Sequence, residues 1–184
     1  MGVVGDGLEK AVEAAFTRPI PKSAGARVRF LVRSLKSTRE VAEALGVSRR
    51  TVERYVKDEI RTPKPELAAR LEREVRRRWQ PLVRKRARDR AASSTGIVIE
   101  TRARFGFTAA PGSSDDARTR LITQALPPLW AGRLFDAQAA GASEEELRRI
   151  AAEGLQEVYF RDGGSRASGL NVEFTDIDYV ELEL

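Results

Sequence analysis

The segment AAPGSSDDA at residues 109–117 contains two adjacent serines followed by two aspartates. A serine hydroxyl is a potential nucleophile, but a base or a metal ion must activate it. Pro-Gly followed by Ser and Asp is also the usual composition of a tight turn. The segment therefore has two interpretations, a turn that only joins two strands and a turn that presents a hydroxyl. The four polar residues are Ser113, Ser114, Asp115 and Asp116.

The chain contains no cysteine and no histidine among its 184 residues. Zinc, haem and imidazole acid–base catalysis therefore lose their usual protein groups, and no disulfide can form. Carboxylates alone can hold Mg²⁺, but the acidic residues near the C-terminus, between positions 173 and 183, have no spacing that demands it. The composition predicts no metal site and favours a binding protein over an enzyme.

Basic and acidic residues are unevenly distributed along the chain. Residues 1–90 contain 24 Lys and Arg against 12 Asp and Glu, a net charge of +12, and residues 91–184 contain 9 against 15, a net charge of −6. A polyanionic partner is therefore expected for the first part only. Small polar residues at 91–96, AASSTG, separate the two parts. This predicts a basic domain at 1–90, a linker at 91–96 and an acidic domain at 97–184.

Residues 37–59, STREVAEALGVSRRTVERYVKDE, have the pattern of a helix-turn-helix. Apolar residues recur at helical spacing on both sides of Gly46, which can take the positive φ of a sharp turn. Ser48 is a suitable N-cap for the second helix. Two packed helices without a ligand could share this spacing, but the basic surface of the second helix favours DNA. The DNA-binding residues predicted there, as readers of bases or of phosphates, are Ser48, Arg49, Arg50, Glu53, Arg54 and Lys57.

A run of basic residues extends from Arg76 to Arg90, with eight basic residues and one acidic residue. Pro65 suits the first turn of a helix in this region, and Pro81 should interrupt or kink it. A charge run is usually a solvated face, but the excess of one sign predicts a helix that tracks phosphates without reading sequence. The predicted phosphate contacts are Arg76, Arg77, Arg78, Arg84, Lys85, Arg86 and Arg88.

The acidic half has the pattern of an α+β domain. GIVIETRARFGFT alternates strictly, with Ile97, Ile99 and Phe105 on one face, which is typical of a half-buried strand. The second strand follows the serine segment, which would be the tip of a hairpin. The predicted fold class is α+β, an N-terminal all-helical helix-turn-helix domain followed by a β-β-α-α-β domain. Its elements are strands at 97–108 and 117–126, helices at 128–141 and 143–160, and a strand, bent or in two pieces, at 170–184.

Six segments distributed over essentially the whole chain carry a resemblance to one family. They are GDGLEKAVEAAFTRPIPKSAGARVRFLVRSL, SRRTVERYVKD, LAARLEREVRRRWQPLVR, GIVIETRARFGFTAAPGSSDDAR, LFDAQAAGA and LQEVYFRDGG. As a set they resemble the telomere terminal proteins of Streptomyces-type linear replicons (the Tpg family). The set is specific, whereas any one segment alone would not be.

The resemblance implies a protein that is covalently attached to the 5′ ends of linear chromosomes or plasmids. In the family, a Ser or Thr hydroxyl primes the DNA synthesis that fills the terminal single-stranded gap, a process called end patching. The partners implied are telomeric DNA with its single-stranded overhang, a telomere-associated DNA-binding protein and a cellular DNA polymerase. The family's priming hydroxyl belongs to a Pro-Gly-hydroxyl-hydroxyl-Asp-Asp segment in which threonines are common. This implies Ser114 as the priming residue here, with Ser113 as the second choice.

Priming requires an alkoxide that enters a polymerase cleft and attacks the α-phosphate of a deoxynucleotide. The Mg²⁺ pair of the polymerase lowers the pKa of the hydroxyl and stabilises the transition state. The chain would then be a deoxynucleotidylated substrate, not an enzyme. It would need no cofactor of its own, because Mg²⁺ and deoxynucleotide arrive with the polymerase. The other hydroxyls that could serve are Thr101, Thr108, Ser93 and Ser94.

Two other functions explain the basic half equally well. A helix-turn-helix transcriptional regulator with an α+β dimerisation or effector domain would footprint an operator and form no covalent bond to DNA. An architectural DNA-binding protein would show strong salt dependence and little sequence preference. No apolar run approaches the ~20 residues of a membrane span and no signal segment is evident. A cytoplasmic location at the nucleoid is therefore expected, at replicon ends if the resemblance holds, and self-association is allowed.

Overall fold

The protein is described by a computed structural model that covers residues 2–108, 118–160 and 171–184. The fold is α+β, as predicted, with helices followed by an antiparallel sheet and further helices. The helices are α1 Val3–Ala14, α2 Ala24–Leu35, α3 Thr38–Leu45, α4 Arg49–Val56, α5 Pro65–Arg78, α6 Pro81–Arg90, α7 Pro128–Ala139 and α8 Glu144–Leu155. The strands are β1 Ile97–Thr108, β2 Arg118–Leu126 and β3 Asn171–Glu183.

The chain divides into two compact units. One is continuous, Thr17–Pro81, and is called the helical unit; the other joins Met1–Phe16 to Leu82–Leu184 and is called the sheet unit. The helical unit contains 18 Lys and Arg against 8 Asp and Glu, a net charge of +10, and the sheet unit contains 15 against 19, a net charge of −4. The asymmetry of charge predicted from the sequence therefore holds between the two units.

The helical unit is built by α2 to α5 around an apolar core. Ser23, Ser37 and Ser48 begin α2, α3 and α4, and each side chain accepts hydrogen bonds from backbone N–H groups of the first turn. These caps satisfy donors that a helix leaves unpaired at its start. The core side chains are Ala24, Val28, Leu31, Val41, Ala42, Leu45, Val52, Tyr55, Leu67, Leu71 and Val75.

The sheet unit contains a three-stranded antiparallel sheet in the order β2-β1-β3. The predicted alternation of β1 is confirmed, because Ile97, Ile99 and Phe105 are buried on the face that α1, α7 and α8 cover. The opposite face of the sheet is called the outer face. On β2, the inward residue Ile122 is 2% exposed and the outward residue Leu121 is 65% exposed.

The strand β3 is one bent strand, the first of the two predicted alternatives. Its pairing with β1 shifts register between Arg102 and Ala103 and again between Arg104 and Phe105. Each bulge reverses the alternation of side chains, because one extra residue exchanges the two faces. The two shifts explain how a 13-residue strand follows β1 while it bends.

The predicted domain boundary is corrected by the packing. Helix α1 belongs to the sheet unit, where Leu8 and Val12 are fully buried and Glu144 of α8 accepts hydrogen bonds from the first N–H groups of α1. Residues 91–95, expected to be part of a linker, form a π-helical turn in which Ala91 is buried. The charge changes near residue 90, but the packing changes at residues 16 and 81. No helix in the described ranges combines the length and apolarity that crossing a membrane requires.

Candidate nucleic-acid interface

Helices α3 and α4 are joined by a sharp turn at Gly46. Its φ is +61°, in the left-handed region that favours glycine, and the N–H of Val47 donates to the carbonyl of Ala42 at 3.0 Å. Ser48 then caps α4 by accepting from the N–H of Thr51 at 3.2 Å. The second helix therefore begins where the sequence predicted it, and Ser48 serves as its cap.

One face of α4 is anchored in the core, which leaves the other face to solvent. Val52 is fully buried and Tyr55 is 5% exposed, so the helix is fixed in its rotation about its own axis. Burial raises the pKa of the Tyr55 phenol, and the charge of Arg54 opposes this effect. The remaining residues of α4 therefore present their side chains in a constant direction.

The cations of α4 differ in their partners. Arg49 pairs with Glu53 at 3.0 Å, and Arg54 pairs with Glu59 at 3.4 Å. Both pairs are solvent-exposed, and such pairs contribute little net free energy, about 0–1 kcal/mol. DNA phosphates can therefore displace either carboxylate at small cost. Arg50 and Lys57 are exposed, and no ion pair holds either of them in the described part of the chain.

The arginines at the end of α5 are partly neutralised by their own helix. Arg76 pairs with Glu72 at 3.0 Å, Arg77 pairs with Glu74 at 2.9 Å, and Arg78 also pairs with Glu74. Arg77 is the most exposed of the three, at 65% of its side chain. The net positive charge at this helix end is therefore smaller than the basic run alone suggests.

The predicted phosphate-tracking helix is two helices in two units. Gln80 has a φ of +47° between α5 and α6, so Pro81 interrupts the helix, as the sequence predicted. Lys85 and Arg86 are exposed on α6, and Lys85 pairs with Asp89 at 2.6 Å. A single helix that carries all the basic residues from 76 to 90 along one phosphate backbone is therefore not present.

Arg84 and Arg88 both pair with Glu9 inside the sheet unit, which corrects their prediction as phosphate contacts. Arg84 is 9% exposed and its guanidinium donates to Glu9 at 2.5 Å, while Arg88 donates to the other oxygen of Glu9 at 3.2 Å. Their guanidinium groups also lie 5.9 and 5.4 Å from the ring centres of Phe16 and Phe135. Burial lowers the pKa of Arg88, and repulsion from Arg84 lowers it further. Arg84 is therefore buried and Arg88 half-buried within the sheet unit.

Ser113 and Ser114 lie outside the described residues, and so does the predicted hairpin tip. The strands on either side of it pair antiparallel, with Phe105 opposite Arg118. Thr101 is fully buried and its hydroxyl donates to the carbonyl of Tyr179 at 2.9 Å, which removes it from the alternative priming hydroxyls.

The remaining alternative hydroxyls differ in what the structure describes. Ser93 and Ser94 are exposed and donate to the carbonyls of Asp89 and Arg90. The side chain of Thr108 lies outside the described residues. Across residues 2–108, 118–160 and 171–184, no group of three or more acidic side chains is placed to hold a metal ion.

The capped helices, the tight turn and the basic second helix define a helix-turn-helix, a DNA-binding domain. A family model described as Helix-turn-helix matches residues 33–77, which include α3, the turn, α4 and most of α5. The match confirms the prediction of a helix-turn-helix DNA-binding domain. A search of curated proteins and a search of solved structures each gave no match.

Sequence reasoning missed the acidic partners of the predicted cations. Glu72 and Glu74 lie three or four residues before the arginines that they bind, a spacing at which helical side chains meet, so this signal was available. Glu9 lies 75 residues before Arg84. No local pattern connects two residues at that separation.

Proposed function

We propose that the chain is a terminal protein, which a helix-turn-helix positions on DNA and whose serine hydroxyl primes DNA synthesis at the 5′ end of a linear replicon. The observation that supports the proposal is the division of the chain into a basic helical unit and an acidic sheet unit. The DNA-binding helices belong to the helical unit, with a net charge of +10, and segment 109–117 belongs to the acidic sheet unit. The resemblance to terminal proteins over essentially the whole chain supplies the reaction.

The proposed reaction is a nucleotidyl transfer to serine. The hydroxyl oxygen of Ser114 attacks the α-phosphorus of a deoxynucleoside triphosphate, a phosphoester forms, and pyrophosphate leaves. The proton of the hydroxyl passes to solvent or to a base of the polymerase, whose Mg²⁺ ions carry the developing charge. The chain itself contributes the nucleophile and its delivery to the DNA end, which fits a protein without histidine or cysteine.

The reaction is tested by labelling. The full chain is incubated with a cellular DNA polymerase, Mg²⁺, a template with a single-stranded 3′ overhang and deoxynucleotides labelled at the α-phosphate. Label that stays on the protein in denaturing gels, and that Ser114→Ala removes while Ser113→Ala retains, supports the proposal. Unchanged labelling of the Ser113→Ala/Ser114→Ala double variant excludes segment 109–117 as the primer.

A second candidate is a helix-turn-helix transcriptional regulator. The match of the helix-turn-helix family to residues 33–77 favours it, because a helix-turn-helix reads base edges in the major groove of DNA. The two candidates are distinguished on DNA isolated from cells that contain the protein. A peptide that remains on the 5′ end after protease, and that alkali releases by β-elimination from serine, supports the terminal protein. Unmodified 5′ ends together with a discrete internal footprint support the regulator.

A further inference from the structure

We propose that two copies of the chain associate through antiparallel pairing of their β2 strands, which joins two three-stranded sheets into one six-stranded sheet. The inference concerns the sheet unit alone and does not depend on the priming reaction. It rests on the edges of the sheet, on the charges along them and on the sequence of β2.

The strand β2 lies at one end of the strand order, next to β1. Along all nine of its residues, Arg118–Leu126, it pairs with β1, and no strand in the described part of the chain pairs with its other edge. Phe160 packs against Phe105 of the inner face, and the guanidinium of Arg120 on β2 lies 5.8 Å from its ring centre. The unpaired N–H and C=O groups of an edge strand are a template for another strand.

The two edge strands differ in the features that prevent pairing. Strand β3 carries acidic side chains, Asp176, Asp178, Glu181 and Glu183, all of which are exposed. Charges of this kind block edge-to-edge association, and pairing between two β3 strands would bring carboxylates together. The outward residues of β2 are uncharged, and Leu121 among them is 65% exposed. The charge distribution therefore selects β2 as the edge that accepts a second copy.

The sequence of β2 is compatible with antiparallel pairing to a second copy of β2 about a two-fold axis at Leu121. In that register Leu121 lies opposite Leu121 of the second copy, and Thr119 lies opposite Thr123. Apolar and Thr–Thr pairs of this kind stabilise antiparallel strands. The two basic residues, Arg118 and Arg120, fall opposite Gln124 and Ile122, so no like charges meet. An isologous contact of this type closes at two subunits and leaves the acidic β3 strands at the outer edges.

The absence of cysteine makes the register directly measurable. In Leu121→Cys the two thiols of a dimer lie across a strand pair, where the Cα atoms are about 4.5–5.5 Å apart, within the range that a disulfide spans. Val98→Cys is the matched control, since Val98 lies on the same outer face of β1 and is 36% exposed. Val98 pairs with Ala125, four residues from the two-fold axis, so its two copies would lie about 14 Å apart across the sheet and about 27 Å apart along the strands.

The full-length chain is examined by sedimentation velocity and by copper-phenanthroline oxidation of the two cysteine variants. The expected result is a dimer, a disulfide-linked species from Leu121→Cys and none from Val98→Cys. Leu121→Arg, which places two guanidinium groups opposite each other, should weaken the dimer by about tenfold or more, whereas Val98→Arg should not. Circular dichroism checks that all variants fold. A chain that stays monomeric, or a dimer that Leu121→Cys does not cross-link, overturns the proposal.

Discussion

Glu9 holds two arginines in the interior of the sheet unit, and removing its charge tests whether these arginines are structural. Glu9→Gln leaves Arg84, 9% exposed, and Arg88 side by side without a carboxylate. Removing one partner of a buried ion pair costs about 3–5 kcal/mol. Counted for the side chains alone, Glu9, Arg84 and Arg88 are 11–27% exposed. Because the cluster is only partly buried, the lower end of this range applies, and we expect a loss of about 3 kcal/mol in the free energy of unfolding.

The assay uses the two tryptophans, because each unit contains one. In a Trp79→Phe background, the fluorescence of buried Trp130 reports the unfolding of the sheet unit alone. A loss of about 3 kcal/mol corresponds to a fall of about 1–2 M in the urea midpoint for a protein of this size. Asp6→Asn is the matched control. It removes an exposed carboxylate in the first turn of α1, where the expected cost is about 0.3–1 kcal/mol.

A second variant distinguishes the cost of an unpaired buried charge from a general loss of folding. Glu9→Leu combined with Arg84→Met replaces one of the two ion pairs by apolar side chains and should restore part of the stability, since such replacements are often neutral or stabilising. Of its contacts in the described part of the chain, Arg88 then keeps only those with Gln138 and Phe135. If Arg84 is a structural residue that contacts no DNA phosphate, this double variant also leaves the salt dependence of DNA binding unchanged. The reasoning is refuted if Glu9→Gln costs no more than Asp6→Asn. It is also refuted if the double variant reduces the salt slope by about one phosphate contact.

Four further variants test the helix-turn-helix and the sheet. If Arg50 contacts base edges, Arg50→Ala should weaken binding to the DNA sequence that the protein binds most tightly by about 1–3 kcal/mol, and binding to random DNA by less. Fluorescence anisotropy at one fixed salt concentration measures both. Gly46→Ala should destabilise the helical unit by about 1–3 kcal/mol, because its φ is +61°. Leu45→Ala should cost that unit about 2–5 kcal/mol by leaving a cavity; Trp79 fluorescence in a Trp130→Phe background measures both. Thr101→Val should cost the sheet unit about 0.5–1.5 kcal/mol, read from Trp130, because it removes the hydrogen bond from the buried Thr101 hydroxyl to the carbonyl of Tyr179.

The elements that the sequence predicted correctly have local causes. The alternation of Ile97, Ile99 and Phe105 defines one face of a strand within a dozen residues, and Gly46 followed by Ser48 marks the end of one helix and the start of the next. Each of these patterns is contained in a dozen or fewer consecutive residues. The fold class and the helix-turn-helix could therefore be predicted without any knowledge of tertiary contacts.

The features that the sequence did not predict depend on distant residues. Net charge located a domain boundary near residue 90, but Leu8 packs into the core of the sheet unit and Glu9 binds arginines of α6. A solvated basic run and a buried ion cluster have the same local sequence. Which one forms depends on whether a carboxylate elsewhere in the chain reaches the guanidinium groups. For Arg84 and Arg88, Glu9 does so.

The insertion of Thr17–Pro81 into the sheet unit has a consequence for synthesis on the ribosome. Helix α1 is made before the helical unit, but the strands and helices that cover Leu8 and Val12 follow only after residue 90. At about 5–20 residues per second this delay lasts for several seconds or more. All the elements of the helical unit are present once residue 81 has emerged from the ribosome. The DNA-binding fold can therefore be complete before the residues that pack against α1 have been synthesised.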